Sequence, residues 1–298
     1  FGLVGSEMCI RDRPGTEAVF RTSGTTGGAG ATGVHYVPRL SLYRASLLPN
    51  FEAHLLPDGE RLPMLSLIPS RRAAPESSLS AMISVVADEL VTEVHWLAED
   101  PAGVDVADFT RAAAALAEVN SPALLVGTAF GFVHLLDELA RTGGSACLPE
   151  GTRIMETGGF KGRSREVSRD ELYAAVHGRL GVPSHRVVNE YGMTELLSQL
   201  YEPMLAEGDA ARGMHAPPPW LRARALDPTS LLPLPPGQTG ILAFFDLANA
   251  GSVSHVLTED LGSVDAGCVR LEGRVPGSEP RGCSLAVEEL LNAPRRDR

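Results

Sequence analysis

Several stretches of this chain carry the residue types that hold anions or react with acyl groups. Thr22-Ser23-Gly24-Thr25-Thr26-Gly27, continued by Gly28-Ala29-Gly30-Ala31-Thr32-Gly33, packs glycines and hydroxyls behind the apolar run Ala18-Val19-Phe20. Glycines let backbone N–H groups turn toward a phosphate with no Cβ in the way, and hydroxyls add donors. No Gly-Lys-Ser/Thr follows, so this is not a Walker A loop. Read alone, the same residues also fit a flexible turn. Lys161 is the sole lysine and sits in Thr157-Gly158-Gly159-Phe160-Lys161-Gly162-Arg163. It is either a mobile point charge for a phosphate or carboxylate, or a structural lysine in a Gly-rich turn. Cys283 follows Arg281-Gly282 and precedes an expected helix over Leu285 to Leu291. A thiol at a helix start beside an arginine has its thiolate favoured, and thiolates attack acyl phosphates. The alternative for Cys283 is a small buried residue in a turn.

These groups need a scaffold, and the patterning predicts one. Helical spacing is expected over Leu40 to Leu48, Ser77 to Leu90, Val106 to Val119 and Phe130 to Arg141. Ser168-Arg169-Asp170-Glu171 reads as a capping box for a further helix, running to Leu180 and closed by Gly181. Strands are expected at Met64 to Ile68, Thr92 to Leu97, Ala123 to Val126, Arg153 to Glu156 and Arg186 to Val188. Strands alternating with helices imply an α/β fold with a mainly parallel sheet covered on both faces, and a ligand at the carboxyl ends of its strands. Gly158-Gly159 and Tyr191-Gly192 both follow expected strands, which points to one shared site. After Tyr201 the pattern turns β-rich: Trp220 to Leu226 with Ile241 to Leu247 as an antiparallel pair, then Val253 to Leu257 and Cys268 to Leu271. The expected division is residues 1–13 as a non-native extension, 14–202 as an α/β nucleotide-binding region, and 203–298 as a β-rich lobe with a short C-terminal helix.

Composition narrows the partners. A formal net charge of −11 over 298 residues argues against nucleic acid, whose backbone attracts basic faces. No apolar run reaches the length of a membrane helix and no leader pattern opens the sequence, so the expected location is cytoplasmic. Cys9, Cys147, Cys268 and Cys283 show neither paired nor metal-ligand spacing.

Thr22 to Gly27 resembles the phosphate loop of the acyl-adenylate-forming superfamily. Asn189-Glu190-Tyr191-Gly192-Met193-Thr194-Glu195 is similar to its Tyr-Gly-x-Thr-Glu signature. Thr258-Glu259-Asp260-Leu261-Gly262 resembles its Thr-Gly-Asp signature, and Gly273-Arg274 the Gly-Arg before its hinge. Three further stretches resemble the acyl-protein synthetase branch, known from the fatty-acid reductase complex of bacterial luminescence: residues 157–163, Leu196-Leu197-Ser198-Gln199-Leu200-Tyr201, and Arg281-Gly282-Cys283-Ser284. Family members have further chain ahead of the phosphate loop, so an N-terminally truncated sequence is expected.

The resemblance implies an adenylate-forming-enzyme-like large domain and a β-rich lobe. It implies a ligase that uses ATP and Mg²⁺ to turn a fatty acid or other carboxylic acid into acyl-AMP. Thr22, Ser23, Gly24, Thr25, Thr26 and Gly27 would grip the β- and γ-phosphates, with Gly158, Gly159, Tyr191, Gly192 and Met193 also around the nucleotide. Thr194 would touch the α-phosphate, Glu195 ligate Mg²⁺, Asp260 accept from the ribose hydroxyls and Arg274 contact ribose or phosphate. Cys283 would take the acyl group as a thioester and pass it to a reductase subunit, with Lys161 standing in for the superfamily's lid lysine. An acyl- or aryl-CoA ligase, a non-catalytic nucleotide- or acyl-binding subunit and an inactive fragment are the alternatives.

Overall fold

The computed structural model describes residues 2–3, 15–22, 33–99, 103–158 and 167–275. In chain order the elements are β1 (Gly2–Leu3), β2 (Ala18–Arg21), β3 (Val34–Val37), α1 (Leu40–Leu55), β4 (Met64–Ser66), α2 (Ser78–Glu89) and β5 (Val94–Trp96). Then come α3 (Val106–Glu118), β6 (Leu124–Thr128), α4 (Ala129–Arg141), β7 (Arg153–Thr157), α5 (Arg169–Leu180), β8 (Val187–Tyr191) and β9 (Leu200–Tyr201). The last are α6 (Met204–Glu207), β10 (Leu221–Leu226), β11 (Gly240–Asp246), β12 (His255–Asp265) and β13 (Cys268–Arg274).

Six strands form the main sheet in the order β5-β4-β6-β7-β8-β9, parallel except for the antiparallel β8–β9 pair. Both faces are covered, as the alternating pattern requires. Met64, Leu124, Val126, Met155 and Val188 pack with α1 and α2 on one face. Their chain neighbours Leu65, Leu125, Ile154 and Val187 pack with α3, α4 and α5 on the other. The helix punctuation acts where the sequence places it. Ser77 Oγ accepts from Ser80 N at 3.1 Å, Ser168 and Glu171 form a reciprocal capping box, and Gly181 closes α5 with φ of 73°.

Three features go beyond or depart from the sequence reading. Helix α1 runs through Pro49 to Leu55, because Tyr43, Leu47, Phe51 and Leu55 form one buried stripe whose burial outweighs the lost hydrogen bond. Strands β2 and β3 pair antiparallel, Phe20 opposite His35, so the Gly/Thr stretch joins the arms of a hairpin. Strand β12 continues through the Thr258–Gly262 signature: Leu261 faces Ile241 and Leu257 faces Ala243, so Thr258, Glu259 and Asp260 stand opposite Leu242 alone. This bulge lies in the second sheet, ordered β1-β12-β11-β10 with β13 on β12. The antiparallel β10–β11 pair follows the expected one, Leu221 opposite Asp246.

Candidate active site

The carboxyl edge of the parallel sheet gathers the site. Strand β7 ends at Thr157 and β8 runs one residue past its partner Glu190 to Tyr191, so Gly158 and Tyr191 leave the sheet side by side. Gly158 has φ of 97°, a turn that a side chain would strain. Beneath the edge lies a buried polar network. Asn189 Nδ2 donates to Glu156 Oε2 at 2.6 Å, which leaves Asn189 Oδ1 to accept from His215 Nε2 at 2.7 Å. Tyr173 donates to Glu156 at 3.3 Å, and Arg169 pairs with Glu202 at 2.6 Å. Burial raises the Glu156 carboxyl to about 7, against the pull of its Asn189 bond. Burial lowers His215 to about 4, so the imidazole is neutral.

The β12 bulge turns Asp260 toward this edge. Tyr191 donates its hydroxyl to Asp260 Oδ2 at 2.7 Å, and Arg274 Nε lies 3.2 Å from Asp260 Oδ1. Arg274 also pairs with Glu259 at 3.0 Å. The bulge is locked by Thr258, which donates to the Leu242 carbonyl at 2.8 Å and accepts from Asp260 N at 3.0 Å. Burial raises the Asp260 carboxyl, while the Tyr191 hydroxyl and the Arg274 charge pull it down. The Tyr191 phenol is held well above its ordinary range by burial, then by Asp260. Its ring packs 5.9 Å from that of Phe244, centroid to centroid.

The rest of the signature loop points the other way. Ser78, first residue of α2, shares a hydrogen bond of 3.3 Å with Thr194. Just ahead of α2, the Glu76 carbonyl accepts from Arg21 N at 2.9 Å, at the end of β2. Thr22 then closes the hairpin neck: its N donates to the Gly33 carbonyl at 2.9 Å and its Oγ1 accepts from Gly33 N at 2.8 Å. The start of α2 therefore links the mouth of the Gly/Thr stretch to Thr194. Glu195 is buried, outside any helix, and its carbonyl accepts from Asn249 Nδ2 at 2.7 Å. Its carboxylate adds to the upward push on Tyr191. Met193 and Tyr191 pack on the small apolar core between the second sheet and this loop.

Thr22, Gly158, Tyr191, Gly192, Met193, Thr194, Glu195, Asp260 and Arg274 are placed by the structure. Ser23, Gly24, Thr25, Thr26, Gly27, Gly159, Lys161 and Cys283 lie outside the described residues. Asp260 is in direct contact with both Tyr191 and Arg274, and the α2 entry bonds Thr194 through Ser78 and Arg21, the neighbour of Thr22, through Glu76. The sequence reading did not single out Ser78, Glu156 or His215, and quoted Asn189 and Glu190 only as part of a signature. The available signal for the last two was position: polar residues at the carboxyl end of a strand otherwise buried on both faces.

Among the described residues no group of three or more His, Cys, Asp or Glu side chains could cage a metal ion. A single carboxylate at Glu195 fits Mg²⁺ held chiefly by phosphate oxygens and water, and does not fit a resident protein-bound metal. No helix among the described residues is long and apolar enough to cross a membrane.

Comparison with known proteins bears on the family and the fold. The family model described as acyl-protein synthetase, LuxE, matches residues 16–292. A long-chain-fatty-acid–luciferin-component ligase of Vibrio harveyi is 34% identical over 83 residues, 26% of this chain and 22% of that protein. Among solved structures, the ATP-bound RpMatB-BxBclM chimera B3 superimposes with a TM-score of 0.60 at 18% identity, over 89% of this chain and 49% of the other. The O-succinylbenzoate coenzyme A synthetase MenE of Bacillus subtilis, in complex with AMP, gives 0.55 at 19% identity, over 87% and 49%. The fold is that of adenylate-forming enzymes, and the chain spans about half the length of these solved relatives.

Proposed function

The chain belongs to the acyl-protein synthetase, LuxE, family, and from that premise we propose that it activates a fatty acid with ATP and passes the acyl group to its own cysteine. The carboxylate oxygen of the acid attacks the α-phosphorus, the bond to the β-phosphate oxygen breaks, and acyl-AMP and pyrophosphate result. The Cys283 thiolate then attacks the acyl carbon, AMP leaves, and the thioester goes to a reductase partner. The observation that carries the reading is the Tyr191–Asp260–Arg274 cluster at the carboxyl edge of the sheet, within one signature loop of Thr194 and the α2 entry.

Each group has a role fitted to its chemistry. Asp260, whose Oδ2 accepts from the phenol and whose Oδ1 meets the guanidinium, offers its remaining lone pairs to the ribose diol. Arg274 supplies fixed positive charge beside it, in a chain whose average is acidic. Thr194 and the Thr22–Gly27 stretch donate to phosphate oxygens, so the α-phosphorus is held in line with the incoming carboxylate. Glu195 would hold Mg²⁺, which would supply charge neutralisation for the triphosphate. Lys161, three residues after Gly158 in the sequence, supplies a further positive charge for a phosphate or the carboxylate.

Intact-mass analysis after incubation with ATP and a fatty acid tests the proposal. It predicts an acyl adduct that hydroxylamine removes and Cys283→Ser prevents. An adenylating protein that forms no adduct refutes the transfer step. Release of acyl-CoA on adding coenzyme A, with Cys283→Ser fully active, would assign the chain to CoA ligation instead.

A further inference from the structure

Glu190 is the residue of the signature loop that no ligand contact explains. It is 4% exposed, and its carboxyl lies between Thr157 at the end of β7 and the Tyr191–Gly192 turn. Thr157, the last residue of β7, donates its hydroxyl to Glu190 Oε2 and stands 3.3 Å from the Glu190 carbonyl. On the other side the Glu190 carboxyl fills the space beside Gly192. A Cβ at residue 192 would fall inside the contact radius of Glu190 Oε1 and 3.3 Å from its Cδ. Because Thr157 pins that carboxyl, it cannot swing away as a free side chain would. Residue 192 is therefore glycine for want of space, since its φ is not in the left-handed region.

We propose that Glu190 is a positioning residue: it fixes the end of β7 against the Tyr191–Gly192 turn, so that the Gly158 loop and the Tyr191–Glu195 loop meet the nucleotide at one spacing. The parallel ladder already sets Thr157 beside Glu190 and ends there, and among the described residues no backbone pairing joins β7 and β8 beyond it. The Thr157–Glu190 bond is the next tie beyond that last rung. A drift between loops that share one triphosphate weakens their joint hold on it, and a loss of binding common to ground state and transition state raises KM while leaving kcat nearly unchanged. This inference rests on the nucleotide-site reading above, and its test separates the two.

Two measurements are made on the whole chain: the KM and kcat of fatty-acid-dependent ATP–pyrophosphate exchange, and amide hydrogen exchange over residues 188–195. Glu190→Ala and Thr157→Val are each expected to raise the KM for ATP about tenfold, with kcat within about threefold. The double variant should cost no more than either alone, because both remove the same bond. Glu190→Gln, which keeps the acceptor and the volume, should stay within about threefold of the parent. Amides of the Tyr191–Gly192 turn should exchange at least about tenfold faster in Glu190→Ala and Thr157→Val, and not in Glu190→Gln. Penalties in KM that multiply in the double variant, or an unchanged exchange rate in the turn, overturn the proposal. A parent protein without pyrophosphate exchange, whose turn nonetheless loosens in these variants, keeps the positioning role and overturns the nucleotide reading. Should Glu190→Ala fail to fold, Thr157→Val against Glu190→Gln decides the matter by the same two readouts.

Discussion

Replacing Tyr191 with Phe removes one oxygen atom and tests whether the cluster on which the proposed ribose contact rests is energetically real. The lost bond is 2.7 Å long and ends on Asp260, whose side chain is 22% exposed and keeps Arg274 Nε at 3.2 Å. A hydrogen bond to a charged, mostly buried acceptor is worth about 1.5–3 kcal/mol when one partner is removed. With Arg274 remaining, a cost of about 2 kcal/mol is expected, which for a chain of 298 residues lowers Tm by about 3 °C. The pH dependence has a definite sign. Burial holds the Asp260 carboxyl above its unfolded value of 3.8, and the Tyr191 hydroxyl opposes that shift. A carboxyl raised in the folded state contributes stability at low pH that falls away as pH rises above 3.8. Taking away the opposing hydroxyl deepens that fall, so the Tyr191→Phe penalty should be larger at pH 7 than near pH 4. Scanning calorimetry at both values measures this. A Tm within about 1 °C of the parent at neutral pH, or a penalty larger in acid, would refute the reasoning.

Four other outcomes follow from the same contacts. Burial raises the Glu190 carboxyl from 4.5 to about 7, so its cost to stability develops between those values and is flat above; the stability advantage of Glu190→Gln over the parent should grow from pH 5 to pH 8 in denaturant titrations. Gly192→Ala places a Cβ on Glu190 Oε1, and should cost about 1–3 kcal/mol of stability by overpacking, much of it recovered in the Gly192→Ala/Glu190→Ala double variant. Ser78→Ala removes the 3.3 Å bond to Thr194 and should raise the KM for ATP a few-fold, at a stability cost of about 0.5–1.5 kcal/mol. Pro49 is exposed within α1, so Pro49→Ala should stabilise the protein by up to about 3 kcal/mol, read as a higher urea midpoint.

How much of this was legible in the sequence depends on the range of the forces involved. Helices α2, α3, α4 and α5 were readable to within a residue or so at both ends, because their caps and apolar spacing are local. The parallel sheet followed from strands alternating with helices, and its carboxyl edge from the positions of Gly158 and Tyr191. The extension of α1 past Pro49 was not legible, since the stripe that rescues it is buried by partners distant in sequence. Nor was the bulge at Asp260. Its residues read as an isolated signature, and only the register of β12 against β11 turns that carboxylate toward Tyr191. The buried Glu156–Asn189–His215 network was hidden for the same reason: a histidine 26 residues from its asparagine partner carries no local mark. The Ser78–Thr194 contact joins a helix start to a loop 116 residues away, which spacing alone cannot connect.

The claim at the centre of this account is that the mouth of the Gly/Thr hairpin and the Tyr191–Glu195 loop close on one adenylate. A crystal structure of the protein with a non-hydrolysable acyl-sulfamoyl-adenosine tests it most directly. The account predicts the ribose hydroxyls on Asp260, the sulfamoyl group between Thr194 and the Thr22–Gly27 stretch, and the acyl carbon open toward Cys283. An adenosine bound elsewhere, for example in the depression beside Tyr173, His177 and Arg212, would contradict it.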